Sequence, residues 1–326
     1  MKKTLWMLLD DRRGSVGQAK GIAELLKDKL NIEEKQLVYT TFAGWPNWIK
    51  GRSLFGVNVK ESDSLEAPYP DMVLSTSRRT VSTARYIRKK SGNKTKIIQL
   101  MFPSGGVGID DMEVVIVPAH DSVKKQKHPK SFVITGAPTR IFPEKVEEWK
   151  KQWTPIFQDL PKPWTSVIIG GAIKGKPWPL DNAKDLAETL KNIHNKIGGS
   201  LLITSSRRTG KEAEDIIMDK LKDIPMYTYM WGEKKENPIM GFYACADLIV
   251  ATADSVSMCT ESCGTGAPVL LFKGHDWLPQ KHQNFAQSLI NKEFAQDITS
   301  PDALEFRPKA TLNPTYQIAE MILKIS

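Results

Sequence analysis

The chain is poor in the residues that most often announce redox or metal chemistry, with three cysteines and five histidines among 326 residues. Cys245, Cys259 and Cys263 lack C-x-x-C spacing, which argues against a zinc ribbon or a disulfide-exchange motif and predicts buried, reduced thiols. No apolar run approaches the length of a membrane-spanning helix, so a soluble chain, or one resting on a membrane surface, is expected. The start, MKKTLWMLLDDRR, imitates a signal peptide, but its apolar part from Leu5 to Leu9 is short and ends in two aspartates and two arginines. A first β-strand is the expectation there. A G-x4-G-K-[ST] phosphate loop is missing, and so is G-x-G-x-x-G, which argues against NAD. The acidic pairs Asp10-Asp11 and Asp110-Asp111 are adjacent residues, which point oppositely on a strand and usually cap in a turn. Neither a metal site nor a cofactor is expected.

What the chain has in excess is positive charge: 46 Lys and Arg against 37 Asp and Glu give +9 and a pI near 9.2. That balance favours anionic partners, whether nucleotides, phosphorylated glycans, acidic lipid surfaces or nucleic acid, and by itself selects none of them. The basic run Lys124, Lys125, Lys127, His128 and Lys130 has no interleaved aromatics. A solvated face, an acidic membrane or a phosphorylated acceptor therefore ranks ahead of nucleic acid, which is not expected as a partner. A cytoplasmic location, at most peripheral on the inner face of a membrane, fits this reading.

Strand-like and helix-like segments alternate along both halves. The first half predicts strands at Thr4 to Leu9, Lys35 to Phe42, Asp71 to Ser75, Lys96 to Met101, Glu113 to Val117 and Ser131 to Thr135, with helices at Gln18 to Leu30, up to Lys90, and Glu144 to Phe157. Ala43 to Pro70, rich in aromatics and proline, reads as a short helix and loop at a cleft rim or as a folded-back surface loop. The Pro-marked stretch Asp159 to Pro163 sets the domain boundary at 160/161. The second half repeats the plan, with strands at Ser166 to Ile169, Leu201 to Thr204, Met226 to Trp231, Leu248 to Val250 and Val269 to Phe272. A loop rich in Lys and Gly follows the first of these, and Asp181 is expected to cap a long helix through Ile197. Alternation of this kind implies parallel β-α-β units and doubly wound sheets.

The most informative stretch is Asp247 to Phe272, DLIVATADSVSMCTESCGTGAPVLLF, which reads as strand, sharp turn, short helix and strand. A helix begun directly past a strand end aims unpaired N–H groups, here from Ser255, Val256, Ser257 and Met258, at a ligand above the sheet, an arrangement suited to a diphosphate. Each half also carries a strand, then Ser-Arg-Arg-Thr, then a helix: Ser77, Arg78, Arg79, Thr80 and Ser206, Arg207, Arg208, Thr209. Guanidinium groups beside a capped helix start suit a phosphate. The plainer alternative is a capped helix with solvated arginines.

The spacing E-x4-G-x-P from Glu261 through Gly266 to Pro268 resembles the donor-binding segment of two-domain, GT-B-type nucleotide-sugar glycosyltransferases. The longer string TADSVSM resembles the elongated-mitochondria, or mitochondrial fission, family, whose bacterial members are described as glycosyltransferases. Further blocks of that family stand in order: Gly14 and Gln18, SRRT at Ser77 to Thr80, Ile116 to Asp121, Gly170-Gly171, LLITSSRRT at Leu201 to Thr209, and Asn237-Pro238. The chain departs from the family at Asp11, Arg13, Ser15, Val16 and Gly17, where the family pattern reads D-G-R-A-G-H-E-N-Q, and at Thr139. The resemblance implies two Rossmann-like doubly wound α/β domains facing across a cleft, residues 1–160 for the acceptor and 161–326 for the donor. It also implies that the last helix crosses back to the first domain. Glu261 would accept hydrogen bonds from ribose, and the helix start would hold the diphosphate.

Sugar transfer from a nucleotide diphosphate leaves growing negative charge on the leaving group, so donors aimed at that charge are the useful protein contribution. Arg207, Arg208, the 255–258 helix start and Gly170-Gly171, which permits close backbone approach, would supply it without a metal. Asp254 sits awkwardly there, since a carboxylate beside a diphosphate is unfavourable unless it points away or contacts sugar hydroxyls. Trp231 and Asn237 would border the base. Asp10, Asp11 and His120 are the candidate general bases, with turn, cap and surface roles as their alternatives. Gly14, Gln18, Ser77, Arg78 and Arg79 would line the acceptor side. A metal-independent glycosyltransferase acting on an unidentified glycan or lipid acceptor is the first expectation. A non-catalytic adaptor and a nucleotide-sugar epimerase are the alternatives.

Overall fold

The computed structural model describes residues 2–173 and 175–326; Lys174, in the Lys- and Gly-rich loop, lies outside them. Two compact units divide the chain, residues 1–140 with 314–326 and residues 141–313.

In the first unit the elements are β1 (Thr4–Leu9), α1 (Arg13–Leu26), β2 (Asn31–Gln36), α2 (Asn47–Lys50), β3 (Met72–Ser75), α3 (Thr80–Lys90), β4 (Lys96–Leu100), β5 (Val114–Pro118), α4 (Val123–Gln126) and β6 (Ser131–Ile134). The strands form one parallel sheet in the order β2-β1-β3-β4-β5-β6. Side chains alternate across a strand, so β1 sends Leu5, Met7 and Leu9 to one face and Trp6 and Leu8 to the other. Ala19, Ile22 and Leu26 of α1 cover the first face, and Val81, Ala84 and Ile87 of α3 the second. A sheet buried on both faces is the doubly wound arrangement.

Two expected elements move. The second strand is Asn31–Gln36 and not Lys35 to Phe42, because it is a polar edge strand whose sequence, NIEEKQ, carries no apolar run. Helix α1 starts at Arg13, ahead of the expected Gln18, since Gly14 and Gly17 weaken the helical pattern of its first turn. Ala43 to Pro70 is a short helix and loop, in keeping with its sequence, and it leaves Phe42, Trp45 and Phe55 exposed with ring centroids 5.7 to 5.8 Å apart. Asp111, expected to cap a turn, is a buried hub bound by both Arg52 and Arg85. Burial pushes its carboxyl up, but the two guanidinium groups outweigh that and hold it below the usual range.

The second unit contains α5 (Pro143–Phe157), β7 (Trp164–Ile168), α6 (Leu180–Ile197), β8 (Ser200–Thr204), α7 (Lys211–Leu221), β9 (Met226–Tyr229), α8 (Ile239–Cys245), β10 (Leu248–Thr252), α9 (Val256–Gly264), β11 (Val269–Phe272), α10 (Gln280–Asn291) and β12 (Gln296–Asp297). Its parallel sheet runs β12-β11-β10-β7-β8-β9. The chain therefore winds outward from β7 through β9, then returns to β10 on the other side, and the order reverses between β7 and β10. Crevices that hold ligands form above such a reversal, at the carboxyl ends of the strands.

The division falls at 140/141 and not at 160/161, because α5 belongs to the second core. Its Phe157 meets Tyr227, Phe242 and Trp164 at 5.2, 5.7 and 5.9 Å between rings, and Trp153 lies against Gly241. Asp159 to Pro163 is only the link from α5 to β7. Asp181 does not cap α6; it lies inside the first turn, exposed, and pairs with Lys184 at 2.9 Å. The last helix, α11 (Pro314–Ile325), returns to the first unit, where Ile318 and Ile322 join the core that α1 covers.

Candidate functional site

The second unit gathers its polar groups at the reversal between β7 and β10. Past β7 come Gly170 and Gly171, past β8 the turn Ser206 to Thr209, and past β10 Ala253, Asp254 and the start of α9. Asp254 ties the three together. Its buried carboxylate accepts the Gly171 N–H at 3.0 Å and the Thr252 hydroxyl at 2.7 Å, and pairs with the Arg208 guanidinium at 2.8 Å. Arg208 also donates to the Ala172 carbonyl at 2.9 Å. The acid that looks misplaced beside a diphosphate is thus a counter-charge for one of the two arginines.

This geometry revises the reason for the glycine pair. A side chain on Gly170 would place its Cβ 2.1 Å from both Asp254 carboxylate oxygens. Gly171, at φ +148°, would place one 2.1 Å from the Arg208 carbonyl oxygen. The space that Gly170-Gly171 leaves is filled by the protein itself, not kept for a phosphate.

Both Ser-Arg-Arg-Thr turns adopt one hydrogen-bond pattern. In the second unit Thr209 Oγ1 accepts the Ser206 N–H at 2.9 Å, and Ser206 Oγ accepts the Arg208 N–H at 3.1 Å. In the first unit Thr80 Oγ1 accepts from Ser77 N–H at 3.0 Å, and Ser77 Oγ accepts from Arg79 N–H at 3.2 Å. The second arginine of each turn is held by a carboxylate: Arg208 by Asp254, and Arg79 by Asp11 at 2.9 Å. The first arginine of each, Arg207 and Arg78, is exposed and makes no ion pair among the described residues. Each turn therefore offers one free guanidinium, where the sequence suggests two.

Helix α9 begins at the same edge. Ser255 caps it, its Oγ accepting the Met258 N–H at 3.4 Å, which leaves the Val256 and Ser257 amides as open donors of the first turn. One turn on, Glu261 is half-buried, and Tyr243 donates to its Oε2 at 3.2 Å. Burial raises the Glu261 carboxyl to about 7, the tyrosine bond offsetting part of that rise. Gly266, at φ +87°, ends the turn after α9.

A group whose folded pKa lies above its unfolded value holds a proton that the unfolded chain has already released. For Glu261 the stability is therefore full below the ordinary carboxyl value of 4.5 and declines as pH rises through about 7. Glu261→Gln should remove this slope, so that urea unfolding at pH 8 shows the variant more stable than wild type by about 2 kcal/mol, with little difference at pH 4.

Other expected residues are spread more widely. Trp231 is exposed and donates its backbone N–H to Ser205 Oγ at 2.8 Å, while exposed Asn237, two residues ahead of α8, accepts from the Ile239 N–H at 3.0 Å. In the first unit Gly14 and Gln18 lie on the first turns of α1. Asp10, at the end of β1, is buried; one oxygen accepts the Arg12 N–H at 3.1 Å and the other has no hydrogen bond. Burial first, and then the charge of Asp10, pushes the nearby Tyr39 phenol up. Nothing in the sequence singles out Tyr39, which looks like an ordinary apolar residue there. Asp11 is exposed, and His120 is half-buried past the end of β5. No group of three or more His, Cys, Asp or Glu among the described residues is placed to hold a metal, and no described helix is long and apolar enough to cross a membrane.

Solved structures share this architecture. The UDP-GlcNAc 2-epimerase of Methanocaldococcus jannaschii matches at a TM-score of 0.60 and 15% identity, over 99% of both chains. The UDP-GlcNAc 2-epimerase of Neisseria meningitidis bound to UDP-GlcNAc matches at 0.54 and 16%, over 98% of this chain and 100% of that one. MurG of Acinetobacter baumannii matches at 0.53 and 16%, over 99% of both. The fold is thus the two-domain GT-B-like one. An uncharacterized protein of Rickettsia prowazekii, RP120, is 27% identical over 98% of this chain and 97% of its own length. The mitochondrial fission protein ELM1 of Arabidopsis thaliana is 30% identical over 78% of this chain, and the match spans 63% of that longer protein. The family model for mitochondrial fission ELM1 matches residues 13–325, and the chain belongs to that family.

Proposed function

We propose that the chain is a nucleotide-sugar enzyme whose second unit holds the nucleoside diphosphate of its substrate. What supports this reading is that the turn carrying the exposed, unpaired Arg207 and the start of α9, with its open Val256 and Ser257 amides and Glu261 one turn on, follow β8 and β10, the two strands that flank β7 beside the reversal of strand order. Arg207, the two amides and the Ser255 and Ser257 hydroxyls face the diphosphate charge, and Glu261 accepts from the ribose hydroxyls. Trp231 and Asn237 border the base.

Epimerisation of the sugar, which needs no acceptor, is supported better than transfer, since UDP-GlcNAc 2-epimerases stand among the similar folds at a TM-score of 0.60. Transfer to an acceptor hydroxyl is the second reading, and Asp10 favours it. A buried carboxylate with an unpartnered oxygen is suited to take a proton from an attacking hydroxyl.

Titration calorimetry with UDP is expected to show binding to wild-type protein and about tenfold weaker binding to Arg207→Ala, the loss of one charge-assisted contact. Absence of any nucleotide binding overturns the proposal. Product analysis of UDP-GlcNAc incubated without acceptor then separates the readings. An epimer formed alone supports the first, and turnover only with a glycan or lipid acceptor supports the second. Nucleotide bound without turnover in either mixture assigns an adaptor role.

A further inference from the structure

The first unit holds a pocket of ≈ 550 Å³ above the carboxyl ends of β3, β4 and β5, within the size range of small-ligand sites. Four of its lining residues are basic, Arg78, Lys124, Lys125 and His128, and none of the lining residues is acidic. Three separate loops bring them together: the first Ser-Arg-Arg-Thr turn, the glycine-rich loop after β4 and the segment containing α4.

We infer that this pocket binds a phosphoryl group carried on a small organic body. The charges divide into fixed and free. Lys125 is held by Asp121 at 3.0 and 3.1 Å, whereas Arg78 and Lys124 are exposed and make no ion pair among the described residues. His128 accepts the Lys130 N–H on Nδ1 at 3.2 Å, which makes Nε2 its donating nitrogen in the neutral ring. A planar guanidinium, a free ammonium and an imidazole donor in one concavity suit the several acceptor oxygens of a phosphate.

The floor indicates that the phosphate is not alone. Phe102 meets His128 edge-on, with centroids 5.8 Å apart, and Pro103 and Ile109 add apolar surface. Gly105 and Gly106, at φ +65° and +73°, carry the loop past Phe102 without a side chain in the pocket; a Cβ on either would have no neighbour nearer than 3.8 Å. An apolar wall beside a cationic rim fits a sugar or short acyl body better than an inorganic ion.

All of these residues lie in the first unit, so the inference does not rest on nucleotide binding by the second. The test titrates the full chain, by calorimetry, with glucose 6-phosphate, glucose, inorganic phosphate and soluble dihexanoyl phosphatidic acid. The expected result is binding of at least one phosphorylated body, tenfold or more tighter than inorganic phosphate, with none for glucose. Preference for the sugar phosphate or for the lipid phosphate identifies the source. The double variant Arg78→Ala/Lys124→Ala should weaken that binding at least tenfold while leaving UDP affinity and the melting temperature unchanged. Equal affinity for glucose and its phosphate, equal affinity for inorganic phosphate and every organic one, or wild-type affinity in the double variant overturns the inference. Failure of UDP to bind wild-type protein would remove the nucleotide reading and leave this one standing.

Discussion

Gly170→Ala should destabilise the second unit by about 3 kcal/mol or more, enough to lower its melting temperature by about 10 °C. The added methyl carbon would stand 2.1 Å from both oxygens of the Asp254 carboxylate, and that carboxylate cannot step aside. It is held by the Gly171 N–H at 3.0 Å, by Thr252 at 2.7 Å and by Arg208 at 2.8 Å. Displacing it breaks those bonds together and leaves buried polar groups without partners, which is costlier than the overlap alone. Gly170 itself donates its N–H to Thr252 Oγ1 at 2.7 Å, so the backbone has no slack to move either. Gly14→Ala is the contrast. It lies in α1, where an added methyl carbon would meet nothing within 4 Å, and the substitution should be neutral or stabilising by up to about 1 kcal/mol. Urea midpoints at constant m-value measure both, and a Gly170→Ala midpoint equal to wild type would show that the carboxylate is not fixed as described.

The parts of the fold legible in the sequence are those that bury continuous apolar runs. Thr4–Leu9 and Val269–Phe272 are readable to the residue because both faces of a central parallel strand are covered. Helix α5, expected over Glu144 to Phe157 and found at Pro143–Phe157, is nearly as plain. Of the four edge strands, β6 and β9 are legible and the other two are not. β2 is half-solvated and polar, and β12 is two residues long, so neither leaves an apolar signature. The unit boundary is hidden for another reason: Trp153 and Phe157 announce that α5 is packed, but nothing local says against which core.

The same division runs through the candidate site. The Ser-Arg-Arg-Thr turns are legible because their Ser and Thr act within four residues, and both copies fold alike. Which arginine each turn leaves free is not legible, since Asp11 and Asp254 come from other strand ends far along the chain. For the glycine pair the sequence suggests the right physics and the wrong partner. Close approach is required there, but of Asp254 and the Arg208 backbone.

Asp254→Asn should cost about 3 kcal/mol, the low end of the range for breaking a buried ion pair, because Arg208 is 36% exposed and can be rehydrated. An amide still accepts from Gly171 or Thr252, but it cannot accept from three donors while neutralising a guanidinium. Arg208→Met should cost a similar amount by leaving the carboxylate buried without its counter-charge. The double variant should lose less than the two single losses added, with a coupling of at least about 1 kcal/mol. Strict additivity would mean that the two charges do not depend on each other. The same variants separate structure from ligand binding. With Asp254 as a counter-charge, Asp254→Asn releases Arg208 to a bound diphosphate, so UDP affinity in the folded variant stays equal or rises. If the carboxylate instead held substrate hydroxyls, affinity for UDP-GlcNAc would fall while affinity for UDP held. Comparing the two ligands at a temperature well below the variant's melting point decides between those roles, because one predicts that both affinities are kept or raised together and the other a loss confined to the sugar nucleotide.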